Sequence, residues 1–223
     1  MIQAVVFDFD GTVFDSETHE YEVIREIFRD HRAELPLEVW GACVGREAGY
    51  FDPVAYLEEQ TGRRLDRVGM ERLRRERFLA RIHGAAAIPG VPEALAAARA
   101  LGLKVGLASS SGGEWVHGQL ARLGLAHLFD CVRTADDVQR VKPEPELYLS
   151  VLECLQVPPA RAVAFEDSPN GALAARRAGM YCVVVPNPIT AGLSFGAHHR
   201  RLESLHGVDL AELLRELAVP PRP

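Results

Sequence analysis

The amino-acid sequence predicts an α/β fold, in which a parallel sheet has helices on both faces and carries an inserted all-helical segment. From about residue 88 onward, strand-like and helix-like segments alternate along the chain, which is typical of parallel strands joined by helical crossovers. The strand-like segments are apolar at nearly every position, as expected for strands buried on both faces of a sheet. Residues 15–87 lack this alternation and are rich in charged, helix-favouring stretches, which indicates a separate helical unit.

The first predicted strand covers residues 4–9 and belongs to the sheet, because nothing near it in the sequence offers an antiparallel partner. The long connection after it contains helical stretches at residues 20–29 and 69–82. A connection of this length inside a compact domain is structured or functional rather than a bare loop, so we expect it to fold as a cap over the end of the first strand. The predicted division is an α/β core of residues 1–14 and 88–223 and a helical cap of residues 15–87.

The remaining elements are predicted from local signals. Residues 103–108 are nearly all apolar and predict a second buried strand. The helix after it begins at Gly112 and Gly113 and is ended by Gly124. The further predicted elements are an Ala-rich helix at 93–100, a short strand around residue 132, a helix from Pro143 to about residue 155, a strand at 161–165, a helix at 170–178 and a strand at 181–185.

The composition excludes several classes of partner. The formal net charge of −6 argues against a nucleic-acid or acidic-membrane surface as the main partner, and the arginines between residues 63 and 81 are interleaved with acids, as on a solvated helix face. No stretch approaches the roughly 18 to 20 apolar residues of a membrane helix. The first residues lack the basic region of a signal peptide, so we expect a cytoplasmic protein. We also expect a monomer or a weak dimer.

The cysteines give no sign of a cross-linked scaffold. The four cysteines, Cys43, Cys131, Cys154 and Cys182, lie far apart and form no CxxC pair. Scattered cysteines of this kind in a cytosolic chain fill core or surface positions as thiols. The sequence therefore predicts neither a disulfide framework nor a zinc site.

The segment directly after the first predicted strand, residues 8–12 with the sequence Asp-Phe-Asp-Gly-Thr, carries the first chemical signal. Asp8 and Asp10 are two residues apart in an extended segment, so their carboxylates can converge on one point. That point lies beyond the carboxyl end of a parallel strand, where open α/β sheets bind ligands, and Gly11 lets the chain turn and expose backbone N–H groups to an anion. Two carboxylates beside a phosphate need a cation, and Mg²⁺ suits such oxygen ligands. A turn with merely capping or solvated aspartates is the alternative.

Two further signals follow other predicted strands. Ser109 ends the second strand, next to Ser110 and close to a helix start, where a hydroxyl and free amides suit a phosphate. Taken by itself, Ser109 is better explained as a helix cap. Pro143 keeps Lys142 out of the following helix, which leaves the Lys142 ammonium free to point at the strand ends, although a lone lysine is usually an ordinary surface residue.

Glu166 and Asp167 close the predicted strand at residues 161–165. Adjacent strand residues face opposite ways, so both carboxylates reach one metal ion only if the strand breaks there. Pro169 and Gly171 indicate such a break. The placement of all these residues at successive strand ends is more informative than any one of them.

In this order, these residues resemble the four motifs of the haloacid dehalogenase superfamily of phosphotransferases. The four are residues 8–12, Ser109, Lys142 with Pro143, and Glu166 with Asp167. The helical insertion, the run Phe-Asp-Ser-Glu at 14–17 and the run Ala-Ser-Ser-Ser at 108–111 are similar to the β-phosphoglucomutase-like branch. The resemblance spans nearly the whole chain and implies a Rossmann-like parallel sheet core with an inserted all-helical cap domain.

The resemblance also implies a role for each matched residue. Asp8 would attack phosphorus to form an aspartyl-phosphate, while Asp10 would act as general acid and then as general base. The expected ligands of Mg²⁺ are Asp8, the carbonyl of Asp10, Asp167 and, directly or through water, Glu166. The expected phosphate- and substrate-binding residues are Gly11, Ser109, Ser110, Lys142 and Arg46. The cap would open for a small phosphorylated metabolite and close over it.

The presence of Asp10 favours phosphoester chemistry, because the relatives that cleave carbon–halogen or carbon–phosphorus bonds lack an aspartate there. A phosphatase of small phosphomonoesters, such as sugar or polyol phosphates, is then the first hypothesis and a β-phosphoglucomutase-type isomerase the second. Arg46 matches a cap arginine that binds the distal phosphate in the mutases, and one of Arg74, Arg75 or Arg77 would replace their cap lysine.

One departure from the mutase pattern favours the phosphatase. The mutases have a histidine five residues after the aspartate that matches Asp15, whereas this chain has Glu20 there. His19 is one place early, which turns it roughly 100° away on a helix, and we expect it to be a partly exposed helix residue. A non-catalytic binding module that kept the fold is the third hypothesis.

Overall fold

A computed structural model describes residues 1–41 and 51–218 of the chain. Its sheet contains, within those residues, six parallel strands in the order β3-β2-β1-β4-β5-β6. The strands are β1 (Ala4–Phe7), β2 (Lys104–Ala108), β3 (Cys131–Arg133), β4 (Ala162–Glu166), β5 (Tyr181–Val184) and β6 (Arg200–Arg201). The strand order places β1 at the centre of the sheet, between β2 and β4.

The α-helices of the described residues fall into two groups. Those inserted between β1 and the rest of the sheet are α1 (Ser16–Asp30), α2 (Leu37–Gly41), α3 (Pro53–Thr61) and α4 (Arg67–Ile82). Those that alternate with the strands or follow them are α5 (Val91–Ala100), α6 (Gly113–Arg122), α7 (Glu146–Leu155), α8 (Pro169–Arg177) and α9 (Leu210–Ala218).

Helices cover both faces of the sheet because alternate residues of each strand point to opposite faces. Val5 and Phe7 are buried in a cluster with residues of α5, α6 and α9. Ala4 and Val6 are buried in a second cluster with residues of α7 and α8. The prediction of an α/β fold with helices on both faces of a parallel sheet is confirmed.

The inserted helices contribute most residues of a third apolar cluster, which also includes Ile189 from the loop after β5. Tyr21, Ile24 and Phe28 of α1 pack in it with Leu57 of α3, and Asp15 begins α1 by accepting a hydrogen bond from the Thr18 N–H at 3.1 Å. The two chain crossings between this unit and the sheet lie side by side, since the N–H of Ile88 donates to the carbonyl of Val13 at 3.0 Å. The insertion is helical, as expected, whereas its exact division at residues 14/15 and 87/88 stays a prediction.

Several predicted bounds differ from the structure. The first strand ends at Phe7 rather than at residue 9, because the chain turns there and the N–H groups of Val13 and Phe14 both donate to the carbonyl of Phe9. The helix expected to open at Pro143 begins at Glu146, after a turn in which the Glu144 N–H donates to the Val141 carbonyl. Strand β6 and helix α9 had no counterpart in the sequence-based prediction.

The expectation of scattered free thiols is wrong for two cysteines. Cys131 at the start of β3 and Cys154 in α7 form a disulfide, with their Cα atoms 6.4 Å apart. The two cysteines are separated by 23 positions in sequence, and they come together only because α7 packs against the sheet. Cys182 is a buried free thiol, and Cys43 lies outside the described residues.

Over residues 1–41 and 51–218, the structure contains no helix with the length and apolar character needed to cross a membrane.

Candidate active site

The polar residues that follow three neighbouring strands meet at one edge of the sheet. Phe7 of β1 is in register with Leu107 of β2 and Phe165 of β4. Each strand ends at or one residue past this register, so Asp8, Ser109 and Glu166 with Asp167 emerge at the same edge. Three segments far apart in sequence thereby place their polar side chains at the carboxyl end of one parallel sheet, where such sheets bind ligands.

Lys142 lies between two buried carboxylates. Its ammonium donates hydrogen bonds to Asp8 Oδ1 and, at 2.6 Å, to Glu166 Oε1. The Tyr148 hydroxyl of α7 donates to the same Glu166 oxygen at 2.5 Å. Lys142 retains only 5% of its side-chain exposure and Glu166 none, so this network is screened from water. An ammonium held beside Asp8 suits the neutralisation of charge on a group bound there.

Asp8, Glu166 and Asp167 form a cluster that could hold a metal ion. Carboxylate oxygens of the three lie within 4.8 Å of one another, and all three residues are buried. Asp167 also accepts hydrogen bonds from Thr12 Oγ1 at 3.3 Å and Asn187 Nδ2 at 2.8 Å. Three carboxylates with one ammonium leave an excess of buried negative charge, and an all-oxygen donor set of this kind fits a hard divalent cation such as Mg²⁺.

Burial is the first cause of the raised pKa values in the cluster, and neighbouring carboxylates add to it. The pKa of Asp8 is raised to about 7, chiefly by burial, while the charge of Lys142 opposes the shift and that of Glu166 adds to it. Burial, followed by the charge of Glu17, raises the pKa of Asp167 well above its ordinary value. A bound cation would stabilise the ionised carboxylates, since an opposite charge at short range favours the charged form.

Asp10 points its carboxylate away from this cluster. Its Oδ1 accepts hydrogen bonds from Ser16 Oγ at 2.5 Å and from Trp115 Nε1 at 3.0 Å, and its Oδ2 accepts one from Ser111 Oγ at 2.6 Å. The side chain is half-buried. The Asp10 carboxylate is therefore separate from the acid cluster, and the metal-binding role expected for Asp10 stays a prediction that concerns its carbonyl oxygen.

Gly11 permits the close turn that follows Asp10. Its φ of +86° lies in the left-handed region, and a Cβ there would overlap the Asp167 carboxylate and approach Asn187 Nδ2 to 2.6 Å. The N–H groups of residues 11–14, however, donate to the carbonyls of Phe9 and Phe14 within the turn. In this structure the turn itself engages these amides, and Gly11 is sterically required there. The phosphate-binding role expected for Gly11 stays a prediction.

Ser109 does not cap the helix that follows it. The residue at the start of α6 is Gly112, whereas the Ser109 hydroxyl is buried and accepts the Ser111 N–H at 3.0 Å. Ser110 is exposed beside it. Ser109 is thus held at the strand end by its own backbone turn, and the phosphate-binding roles of Ser109, Ser110 and Lys142 stay predictions. Arg46 lies outside the described residues.

The cap arginines are engaged in ion pairs with acids. Arg74 contacts both Glu20 and, at 2.6 Å, Glu71, while Arg77 contacts Asp30 at 2.7 Å. Arg75 is exposed. Glu20, which occupies the position of the mutase histidine, is therefore held by Arg74 across α1 and α4.

Sequence reasoning assigned no role to several residues of the site. Glu17 of α1 and Asn187 share a hydrogen bond of 3.1 Å beside Asp167, and burial raises the pKa of Glu17 to about 8. The strand-end rule applied to β5 would have found Asn187, since it follows that strand by three residues. Trp115 and Tyr148 lie inside helices and gave no local signal.

The chain resembles a known protein family and several named proteins. Residues 2–179 match the model of a hydrolase family, the haloacid dehalogenase-like hydrolases. The chain is 54% identical over 217 residues to a Bacillus subtilis (strain 168) protein named "Putative phosphatase YhcW", and the match covers 97% of this chain and 98% of that protein.

Solved structures share the fold over nearly the whole chain. CbbY from Rhodobacter sphaeroides, in complex with xylulose-(1,5)bisphosphate, is 29% identical with a TM-score of 0.74 and is covered over 97% of its length and 94% of this chain. A "putative beta-phosphoglucomutase" from Thermotoga maritima is 26% identical with a TM-score of 0.77, covering 96% of this chain and 99% of that one. The prediction of an enzyme of the phosphatase type is confirmed. Because its site lies at the strand ends and these relatives match nearly its whole length, the chain belongs to the haloacid dehalogenase-like hydrolases, in their β-phosphoglucomutase-like branch.

Proposed function

We propose that this chain is a Mg²⁺-dependent phosphatase of small phosphomonoesters, such as sugar phosphates, that acts through an aspartyl-phosphate on Asp8. The observation that carries the proposal is the position of Asp8, which is buried between the Lys142 ammonium and the carboxylates of Glu166 and Asp167. Phosphoester hydrolysis agrees with the family and with the phosphatase name of the Bacillus relative. The bisphosphate held by CbbY supports a sugar-phosphate substrate.

The first half of the proposed reaction transfers the phosphoryl group to the protein. The Oδ2 of Asp8 attacks phosphorus, because Oδ1 is held by Lys142. As the Asp8 O–P bond forms, the bond between phosphorus and the ester oxygen breaks, and Asp10 donates a proton to that oxygen. Lys142 and the Ser109 hydroxyl bind the phosphoryl oxygens during the transfer.

The second half returns the protein to its starting state. Asp10, now ionised, accepts a proton from a water molecule that attacks phosphorus, and inorganic phosphate leaves as the Asp8 carboxylate is regenerated. Mg²⁺ held by Asp8, Glu166, Asp167 and the Asp10 carbonyl would supply positive charge to the phosphoryl oxygens. Ser16, Ser111 and Trp115 donate hydrogen bonds to the Asp10 carboxylate in this structure, and Asp10 is not one of the three acids of the cluster.

We further propose the division into a core of residues 1–14 and 88–223 and a cap of residues 15–87, with the cap selecting the substrate. Two observations support it: the apolar cluster that the inserted helices mainly form, and the adjacent crossings at Val13 and Ile88. Binding of a second anionic group of the substrate is assigned to Arg46. A cytoplasmic location, a monomer or weak dimer, and the lack of a nucleic-acid partner stay predictions.

The test is phosphate release from a panel of phosphorylated metabolites, with Asp8→Asn as the inactive variant. We expect Mg²⁺-dependent release by the parent protein and a loss of at least about 10⁴-fold in Asp8→Asn, because the variant lacks the nucleophile. Asp66→Asn is the matched control, since Asp66 is exposed in the cap and makes no side-chain cap bond.

Other outcomes would replace the proposal. Conversion of β-glucose 1-phosphate to glucose 6-phosphate without phosphate release, with a trace of the bisphosphate present, would identify a mutase. Equal phosphate release by the parent protein and Asp8→Asn would remove Asp8 as nucleophile. Absence of turnover for every substrate, with the biological role intact in Asp8→Asn, would indicate a binding module.

A further inference from the structure

The loop after β5 fixes the orientation of one buried amide, that of Asn187. Its Oδ1 accepts hydrogen bonds from the backbone N–H groups of Ile189 at 2.8 Å and Thr190 at 3.0 Å. Its own backbone N–H donates to Thr190 Oγ1 at 3.0 Å. Because both backbone donors require an oxygen acceptor, the Asn187 amide oxygen faces the loop and its NH₂ group faces the opposite way.

The NH₂ group of Asn187 points at two carboxylates from different parts of the chain. Nδ2 donates to Asp167 Oδ2 at 2.8 Å and to Glu17 Oε2 at 3.1 Å. Asp167 follows β4, and Glu17 lies in the first turn of α1. Asn187 is 7% exposed and Asp167 1%, so water cannot readily replace these bonds. A buried carboxylate, Asp167, and a half-buried one, Glu17, are thus held by the two N–H groups of one neutral amide.

These bonds restrict how Asp167 can face the rest of the acid cluster. Asn187 holds its Oδ2, and Thr12 Oγ1 donates to its Oδ1 at 3.3 Å. The carboxylate plane is therefore set by two donors from outside the cluster, and Oδ1 keeps free acceptor capacity. Ligating carboxylates are commonly held in this way by outer hydrogen bonds, and the loss of such a bond weakens metal binding.

We propose that Asn187 is a positioning residue for the divalent cation, which aligns Asp167 as a ligand and ties it to the first turn of α1 through Glu17. The inference rests on the proposed Mg²⁺ site. It adds a fifth segment, the end of β5, to the four segments that build the site. The same loop also contacts the cap, because the Ile189 side chain is buried in the apolar cluster of α1 and α3.

The test measures Mg²⁺ binding directly, by calorimetric titration of the whole protein with MgCl₂ in the absence of substrate. In Asn187→Ser the hydroxyl can still accept the loop N–H groups but cannot reach Asp167. We expect the Mg²⁺ dissociation constant to rise about 10- to 100-fold. Asn187→Thr, measured in parallel, offers the same hydroxyl if the serine variant does not fold.

Thr190→Val is the matched control, because Thr190 is fully buried in the same loop and bonds Asn187 but neither carboxylate. We expect this variant to melt at a lower temperature than the parent protein with an essentially unchanged Mg²⁺ affinity. In Asn187→Ser, the Mg²⁺ concentration that gives half-maximal phosphate release should rise by the same factor as the dissociation constant. A loop that is merely structural would shift the melting temperature alone.

Three results would overturn the inference. One is unchanged Mg²⁺ affinity in a folded Asn187→Ser or Asn187→Thr protein, which would leave the proposed metal site intact. Another is a Thr190→Val protein whose Mg²⁺ binding is weakened as much as that of Asn187→Ser. The loss of affinity would then come from a less stable loop and not from the Asn187 amide. A parent protein that binds no Mg²⁺ would overturn both the proposed metal site and the inference.

Discussion

Lys142 is the residue on which the electrostatics of the site depend. Burial alone would lower the pKa of its ammonium, but the carboxylates of Asp8 and Glu166 raise that pKa above its ordinary value. Lys142 therefore stays cationic over the physiological range. Its charge is shared between a structural partner, Glu166, and the proposed nucleophile, Asp8, which makes one side chain serve both stability and catalysis.

Replacement of Lys142 by methionine should lower both stability and activity. In the presence of a chelator, the free energy of unfolding should fall by about 3–5 kcal/mol, because two buried carboxylates lose their cationic partner. Phosphate release in Mg²⁺ should fall by at least about 10²-fold. Chemical denaturation and a phosphate assay measure the two effects.

The chain offers a matched control for this variant. The only other lysine of the sequence is Lys104, which is exposed at the start of β2. Lys104→Met should change neither quantity. Unaltered stability in Lys142→Met would show that the buried ion pairs do not stabilise the fold.

At the scale of elements, the start of helix α8 is shaped by the end of strand β4. A Cβ on Gly171 would overlap the Glu166 carboxylate, so the first turn of α8 can cross Glu166 only with glycine there. Ser168 begins this helix by accepting the Gly171 N–H at 3.1 Å, and its hydroxyl donates to Glu166 Oε2 at 3.3 Å. The helix start and the acid cluster are therefore built as one unit.

Alanine should have opposite effects at two helical glycines. In Gly171→Ala, the overlap with Glu166 should destabilise the protein by about 1–3 kcal/mol and weaken Mg²⁺ binding. Gly118 lies in α6 with open space around it, so Gly118→Ala should stabilise by about 0.5–1 kcal/mol through helix propensity. Thermal unfolding of both variants provides the comparison. A stabilising Gly171→Ala would mean that α8 moves freely relative to Glu166.

At the scale of the whole molecule, helix α6 of the sheet unit contacts the inserted helices. The Trp115 ring lies 5.7 Å from that of Phe78 in α4 and 6.4 Å from that of Phe14, while its indole N–H donates to Asp10. Arg122, at the other end of α6, donates to the Ala85 carbonyl at 2.6 Å. The proposed general acid is thus hydrogen-bonded to the same side chain that packs against the cap.

Trp115→Phe should separate these two functions of Trp115. Ring packing would be largely kept, whereas Asp10 would lose a charged hydrogen bond worth about 1.5–3 kcal/mol. We expect kcat for an alkyl phosphate to fall about tenfold or more, and kcat for an aryl phosphate with an acidic leaving group to fall much less, because that leaving group needs little proton donation. Steady-state kinetics on both substrates measure the difference.

Trp40→Phe is the control for loss of an indole N–H. Trp40 lies in the cap, and its indole N–H is buried without a hydrogen-bond partner among the described residues. This variant should leave both rates near those of the parent protein. Equal losses on the two substrates in Trp115→Phe would indicate a packing role for Trp115 instead of a role in positioning Asp10.

The sequence alone determined the class of fold and the segments that supply the site. Continuous apolar runs and glycine stops are local signals, so the strands at 103–108, 161–165 and 181–185 were predicted within one or two residues of β2, β4 and β5. Because parallel strands end at a common edge, the polar residues after them could be expected to converge. That reasoning placed Asp8, Ser109 and Glu166 together without any knowledge of contacts.

Only the tertiary structure decided which side chains touch. Asn187 is 170 residues from Glu17 in sequence, and Tyr148, Trp115 and the pair Cys131–Cys154 sit in elements whose local pattern shows only an apolar face. Such contacts depend on how helices pack across the sheet. That packing involves segments far apart in sequence, so the residue pattern within one segment cannot predict it. The chemistry of the strand ends is therefore local information, whereas the hydrogen bonds that orient it arise on folding.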